Sequence, residues 1–280
     1  MSLAMRHVMI TVAGVAVVTV FLLRRRQRGL GSGRTEPWLS DPSTQVAAGQ
    51  QHHPSALRNR IPILKAMLRL LPDSDTFKGR ALEIATGTGG LMEVIAPAYP
   101  HLTYQPSEYV PTIPATPAEQ WNKHGKIGLR HGLDELANID EHGVKIFSNC
   151  LPAIALDLLQ WTPASEALPP RSLALILVTN VLHITPWACS VNLFRGAGVA
   201  LQPGGYLVVY GPFKLGGHFV GNDGGAGNAK FDAKLRSTND AWAIRDVEEL
   251  CGLATDAGLK LHGQTDMPAN NLTLCFVREH

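Results

Sequence analysis

Leu173-Ala-Leu-Ile-Leu-Val-Thr179 is a seven-residue run with no polar position before its last residue. A strand that is apolar on both faces must be covered on both faces, which is the condition of an interior strand in a parallel sheet with helices above and below. The flanking sequence supplies those helices. Arg60 to Leu71 has apolar residues at Ile63, Leu64, Met67, Leu68 and Leu71, a helical spacing. Arg80 to Ala85 reads as a short buried strand, followed by Thr-Gly-Thr-Gly-Gly and a helix through about Ala98. Leu102 to Gln105 gives a second strand with Ser107-Glu108 at its end, residues 114–124 a helix, and Ala153 to Asp157 a third strand. After the run at 173–179, a helix from about Ala188 to Leu201 stops at Gln202-Pro203-Gly204-Gly205, and Tyr206 to Tyr210 is a fifth strand. Beyond a glycine-rich stretch, Asn228 to Arg236 and Arg245 to Ala257 read as helices. Five strand-then-helix units predict an α/β sheet covered on both faces. Two final strands, near Leu259–Thr265 and Leu272–Val277, are joined by too few residues for a parallel crossover, so they must pair antiparallel.

The first fifty residues are a different object. Val8 to Leu23 is apolar except for Thr11, Gly14 and Thr19, about 24 Å long as a helix. Arg24-Arg25-Arg26-Gln27-Arg28 follows it where a cleavage site would stand in a secretory signal. Residues 1–28 are therefore expected to be a retained membrane anchor with its basic flank in the cytosol, on the mitochondrial outer membrane or the endoplasmic reticulum. The competing expectation is an arginine-rich transit peptide removed on organelle import. Residues 29–53 are Gly-, Ser-, Pro-, Gln- and Thr-containing and read as a flexible linker, and residues 54–280 as the folded domain.

Charge and cysteine usage narrow the function. The chain carries +2 overall, but residues 1–35 hold six arginines and no acid, leaving −4 on the rest. A mildly acidic body argues against a nucleic-acid partner. Cys150, Cys189, Cys251 and Cys275 lie far apart with no Cys-x-x-Cys, so neither a zinc cluster nor a disulfide scaffold is expected.

Leu82-Glu83-Ile84-Ala85-Thr86-Gly87-Thr88-Gly89 resembles the first motif of class I S-adenosylmethionine-dependent methyltransferases, with Ala85 where the first glycine is usual. A strand ending in a turn without Cβ atoms lets a cofactor approach the backbone, and the next helix aims its N-terminus at it. The antiparallel finish is also a feature of that fold. Several ordered strings resemble one family more narrowly, the methyltransferase-like 26 family. They are Arg58 to Leu64, His101 to Ser107, Asn180 to Trp187, Tyr210 to Phe213, Asn228 to Arg236, Trp242 to Asp246 and Met267 to Leu272. The chain departs from that family near residues 125–152, where extra sequence precedes the third strand.

The resemblance implies a Rossmann-like sheet, mostly parallel with an antiparallel C-terminal strand, and S-adenosylmethionine as cofactor. It implies Glu83, Ala85, Thr86, Gly87 and Gly89 around the nucleoside, Glu108 on the ribose hydroxyls and Asp157 at the adenine amino group. His183 follows the fourth strand and is either the base for an acceptor that must lose a proton or a loop histidine shaping the pocket. Asn180 orients the methionine moiety or caps a turn. Arg58 and Arg60 are candidate partners for a carboxylate, or plain surface charge. Trp187, Tyr210 and Phe213 fall near strand ends and wall an acceptor pocket unless they are core, and Asn270 binds a ligand or forms the last turn. The implied activity is methyl transfer to a small molecule, acidic or lipid-like. A methyltransferase fold that binds without catalysis, as a cofactor sensor or a recruiter of a membrane partner, is the alternative. A nicotinamide-dependent reductase fits the glycine turn less well and the antiparallel finish not at all.

Overall fold

The structure is a computed structural model that describes His52 and residues 54–110, 133–161 and 168–279. The anchor, most of the linker and the helix expected over 114–124 lie outside the described residues. Among the described residues no helix is long and apolar enough to cross a membrane.

The chain runs α1 (Pro54–Leu70), β1 (Gly79–Ile84), α2 (Met92–Ala98), β2 (Leu102–Glu108), α3 (Leu133–His142) and β3 (Ile154–Ala155). It continues through β4 (Leu173–Thr179), α4 (Trp187–Ala200), β5 (Leu201–Gly211), β6 (Phe213–Leu215), β7 (His218–Phe219) and α5 (Ala226–Thr238). It closes with β8 (Arg245–Asp246), α6 (Val247–Asp256), β9 (Leu259–Met267) and β10 (Asn271–Arg278). The main sheet has seven strands in the order β3-β2-β1-β4-β5-β10-β9. β1 to β5 are parallel, and β10 lies antiparallel to both β5 and β9.

Alternation along the strands sends side chains into two cores. Leu82, Ile84, Ile176 and Val178 pack with Leu193 and Phe194 of α4 and Leu250 of α6. Ala81, Leu175 and Leu177 face Leu64 and Met67 of α1 and Met92 and Ile95 of α2. β4 is buried throughout apart from Thr179, as its sequence demands.

Four boundaries differ from expectation. α1 starts six residues before the apolar spacing begins, and its polar first turns are drawn inward by buried Asn59 and Arg60. The β4–β5 ladder jumps from Leu173↔Leu201 to Leu175↔Tyr206, so Gln202 to Gly205 form an excursion within a longer strand rather than its preface. β3 is only two residues long, and Asp157 lies beyond it, because its carboxylate accepts the Leu159 N–H at 2.8 Å and turns the chain away from the edge. Arg245-Asp246 is not helical. It pairs with Phe213-Lys214 in a small second sheet, β7-β6-β8, while the Asp246 carboxylate caps α6 through the Glu248 N–H at 3.0 Å.

Candidate active site

Parallel β1 to β5 bring their carboxyl ends to one edge, where ligands bind in sheets of this kind. After β1 the backbone goes left-handed at Ala85 (φ 56°), Gly87 (φ 59°) and Gly89 (φ 82°), a turn tight enough to feed α2. It is sewn to the end of β2. The Thr86 N–H donates to the Ser107 carbonyl at 2.9 Å, the Ser107 N–H to Thr86 Oγ1 at 3.2 Å, and Ser107 Oγ to the Glu83 carbonyl at 2.8 Å. Glu108, 4% exposed, accepts the Gly87 N–H at 2.7 Å on one oxygen and the Tyr109 N–H at 2.9 Å on the other. Each of these carboxylate oxygens keeps a second lone pair for a ligand hydroxyl. A Cβ built on Gly87 would meet nothing within 4 Å, so the main chain there is open to close approach.

Glu83 does not join this surface. Its side chain turns into the core, where the Tyr104 hydroxyl donates to it at 2.8 Å. Burial pushes its carboxyl up to about 8, against the opposing pull of the bonds from Tyr104 and Thr86. At neutral pH it is therefore mostly uncharged. It ties β1 to β2 from beneath.

At the end of β4, Asn180 takes φ 58° and donates its N–H to the Tyr210 carbonyl at 2.9 Å. A 3-10 turn over Leu182–Ile184 then carries His183. The imidazole is 7% exposed and lies edge-on to Phe231, 5.6 Å between centroids. Burial, and secondarily the Arg245 charge, lower it to about 4, so it is neutral at physiological pH. Arg245, a residue the sequence reading assigned no role, braces this turn. Its Nε donates to the Leu182 carbonyl at 3.0 Å, and its Nη2 to Thr185 at 2.5 Å and Ala241 at 3.3 Å, with Trp187 under the guanidinium at 5.5 Å. The signal lay in the string Trp242 to Asp246, but nothing local marks a lone arginine as buried.

Tyr210 accepts a bond from Asn271 Nδ2 at 3.1 Å, and burial pushes its hydroxyl up to about 12 despite Asn271 and Arg58. Arg58 is exposed, and its charge reaches Tyr210. The neighbouring Arg60 is instead buried and spent on Glu93 at 2.7 Å. Its place two residues on, on another side of α1, explains the difference. Phe213 is buried in the core. Asn270 joins the last turn to the loop before α5, accepting from the Asn222 N–H at 3.0 Å and donating to Asp223 at 3.2 Å. Trp187 lines a cavity of about 590 Å³ with Lys214, Arg236, Asp240 and Arg245. The edge thus gathers the turn at 85–89 with Glu108, Asn180, His183 and Arg58, whereas the Tyr210 side chain is core rather than pocket wall, 2% exposed and clustered with Leu175 and Leu177. Glu83, Arg60, Phe213 and Asn270 are engaged in the fold itself.

Residues 50–278 match the family described as "Protein of unknown function (DUF938)". The chain belongs to the DUF938 family. Among solved structures this DUF938 chain resembles TnmH (TM-score 0.57, 18% identity, 80% of this chain and 56% of that one). It also resembles the mitomycin 7-O-methyltransferase MmcR (0.56, 16%, 80% and 55%). A third likeness is to human N-acetylserotonin methyltransferase in complex with SAM (0.54, 13%, 81% and 53%). The chain spans little more than half the length of each. At these identities the likeness establishes the fold: an α/β methyltransferase sheet, mostly parallel with antiparallel C-terminal strands.

Proposed function

We propose that this chain is an S-adenosylmethionine-dependent methyltransferase acting on a small molecule, acidic or lipid-soluble. The observation that carries the reading is Glu108, whose carboxylate is held by the Gly87 N–H beside the open face of a left-handed turn. That arrangement suits a nucleoside. Each carboxylate oxygen keeps a lone pair that would accept a ribose hydroxyl, and the uncluttered main chain at Gly87 would admit the rest of the ligand. Fold neighbours that include a SAM-bound methyltransferase support the choice of cofactor over a nicotinamide. In this reading Ala85, Thr86, Gly87 and Gly89 line the nucleoside with their backbone, Asp157 receives the adenine amino group and Asn180 orients the methionine moiety. Glu83 supports the turn from below.

When bound, the cofactor supplies an electrophilic methyl group on a sulfonium. The chain's own work is to align the acceptor and exclude water. His183, neutral above about pH 4, can accept a hydrogen bond from an acceptor hydroxyl or amine and so orient it. The burial and the Arg245 charge that keep it neutral make it a weak base for the proton itself. Arg58, exposed at the edge, attracts a negatively charged acceptor, and Trp187 offers it aromatic surface. The strings that resemble the methyltransferase-like 26 family support reading the chain as a member of it. The apolar run at 8–23 and its arginines support a membrane-anchored protein with this domain in the cytosol; resistance of the full chain to carbonate extraction is the expected result.

The test is thermal unfolding of the full chain with S-adenosylmethionine, S-adenosylhomocysteine and NADP in parallel. Ligand at about 100 times its dissociation constant stabilises by about 2.7 kcal/mol, a shift of several degrees. The expected result is a shift with the two sulfur nucleosides alone. Glu108→Ala should weaken both about tenfold or more, the loss of hydrogen bonds to a charged acceptor. It should also lower the ligand-free midpoint by a few degrees, because the Gly87 and Tyr109 N–H groups lose their acceptor. A shift with NADP only would sink the proposal. Binding without turnover across an acceptor panel would leave a cofactor-sensing module.

A further inference from the structure

His52 lies ahead of α1, yet its side chain has no exposed surface. Nδ1 is 2.9 Å from Thr88 Oγ1, and Nε2 is 3.1 Å from one oxygen of Glu93, whose other oxygen takes Arg60 at 2.7 Å. The imidazole thus meets the Thr88 hydroxyl with one ring nitrogen and lies against the Glu93 carboxylate with the other. The imidazole also covers Gly90, where an added Cβ would come within 3.3 Å of Nδ1. Thr88 stands between the two left-handed glycines, and the Glu93 N–H donates to the Gly89 carbonyl at 3.2 Å. One side chain from outside the α/β alternation therefore grips both the glycine turn and the first turn of α2.

Glycine-rich backbone loses more freedom on ordering than any other, and ordering it in advance lowers the cost of binding. We propose that His52 is a positioning residue for the nucleoside site: its side chain is a clamp that pre-orders residues 86–90 and so tightens cofactor binding. This rests on the methyltransferase reading for the identity of the ligand, but not for the clamp.

The experiment measures calorimetric binding of S-adenosylhomocysteine to the full chain and to its His52→Ala and His52→Gln variants, with amide hydrogen exchange on each without ligand. The expected result is about tenfold weaker binding for His52→Ala, equivalent to about 1.4 kcal/mol. Faster exchange should be confined to residues 86–90, and His52→Gln, which can both donate and accept, should recover part of the affinity. Should His52→Ala fail to fold, Thr88→Val removes the hydroxyl partner alone and is expected to show the same pattern. Unchanged affinity and exchange would overturn the proposal, as would equal loss of protection across 173–179, which marks a general structural role. If the unaltered chain binds no S-adenosylhomocysteine, the methyltransferase reading fails and exchange at 86–90 alone decides the clamp.

Discussion

The carboxyl edge of the sheet is built by opposite means in its two halves. At the ends of β1 and β2 main-chain N–H groups do the holding: the Thr86 N–H donates to the Ser107 carbonyl, the Ser107 N–H to Thr86 Oγ1, and the Gly87 and Tyr109 N–H groups fix the Glu108 carboxylate. At the ends of β4 and β5 a side chain holds the backbone, with Arg245 donating to the carbonyls on either side of His183. On the proposed methyltransferase reading, the difference bears on what each half would recognise. A nucleoside gripped along its length needs bare main chain, open space and a carboxylate with lone pairs to spare. A group that orients an acceptor needs a fixed place in a dry pocket, which rigid side-chain packing supplies.

The largest test of this division is Arg245→Met. It leaves the Leu182 and Thr185 carbonyls without their donor, at about 1–3 kcal/mol for each buried group left unpaired. We expect about 3 kcal/mol less stability by urea unfolding, while S-adenosylhomocysteine affinity stays within about twofold. Equal damage to the nucleoside half would break the comparison.

Acid and alkali should strike the two halves separately. His183 has its folded value lowered to about 4 by burial first and Arg245 second, so the unfolded chain binds the extra proton between that value and the usual 6.5. Its contribution to stability is complete above about 6.5 and is lost as pH falls toward 4. Glu83 runs the other way. Burial raises it to about 8, so its contribution is complete below about 4.5 and disappears as pH climbs through 8. Each limb has a slope of up to about 1.4 kcal/mol per pH unit. The two slopes oppose each other between about pH 4.5 and 6.5. The stability of the unaltered chain, measured from pH 4 to 10, should therefore fall chiefly between about 6.5 and 8, with Glu83→Gln abolishing that fall and His183→Gln extending it down to about 4.5. A Glu83→Gln protein that still loses stability at the same alkaline rate would show that its carboxyl is not the titrating group.

This asymmetry was half visible beforehand. The backbone-built half is written in local sequence: glycines 87 and 89 after an apolar strand, with Glu108 about twenty residues on, belong to short consecutive stretches whose geometry follows from residue type. β4 and the antiparallel β9–β10 finish were legible for the same reason. The other half depends on partners far apart in the chain. Arg245 meets Leu182 across 63 residues, a separation at which periodicity carries no information, and in the first half the one contact hidden for the same reason is that of His52 with Thr88, 36 residues apart. Arg58 and Arg60 looked alike because a two-residue step changes helix face without changing composition. Glu83 matched its motif, yet a carboxyl one residue inside a strand end takes its role from what lies beneath the sheet. β3 shrank to two residues because an edge strand with one neighbour ends as soon as a side chain offers a competing bond, here Asp157 to the Leu159 N–H.

The smallest expected effect falls on the backbone itself. Ala85 holds φ 56° where a glycine would be relaxed, and Asn180 holds φ 58° at the end of β4. For alanine the left-handed region costs about 1–2 kcal/mol, whereas asparagine visits it routinely. Ala85→Gly should therefore release that strain, offset in part by the greater freedom of glycine in the unfolded chain, typically about 0.4–1 kcal/mol. A net gain of about 0.5 kcal/mol is expected, a rise of about 2 °C in unfolding midpoint. Asn180→Gly has no comparable strain to release and should leave the midpoint unchanged or lower it. If the nucleoside half stores strain in its backbone and the other half does not, only the first substitution stabilises. Equal gains from both would mean that the two ends of the edge are strained alike, and that the alanine in the glycine turn is an ordinary tolerance rather than a feature of that half.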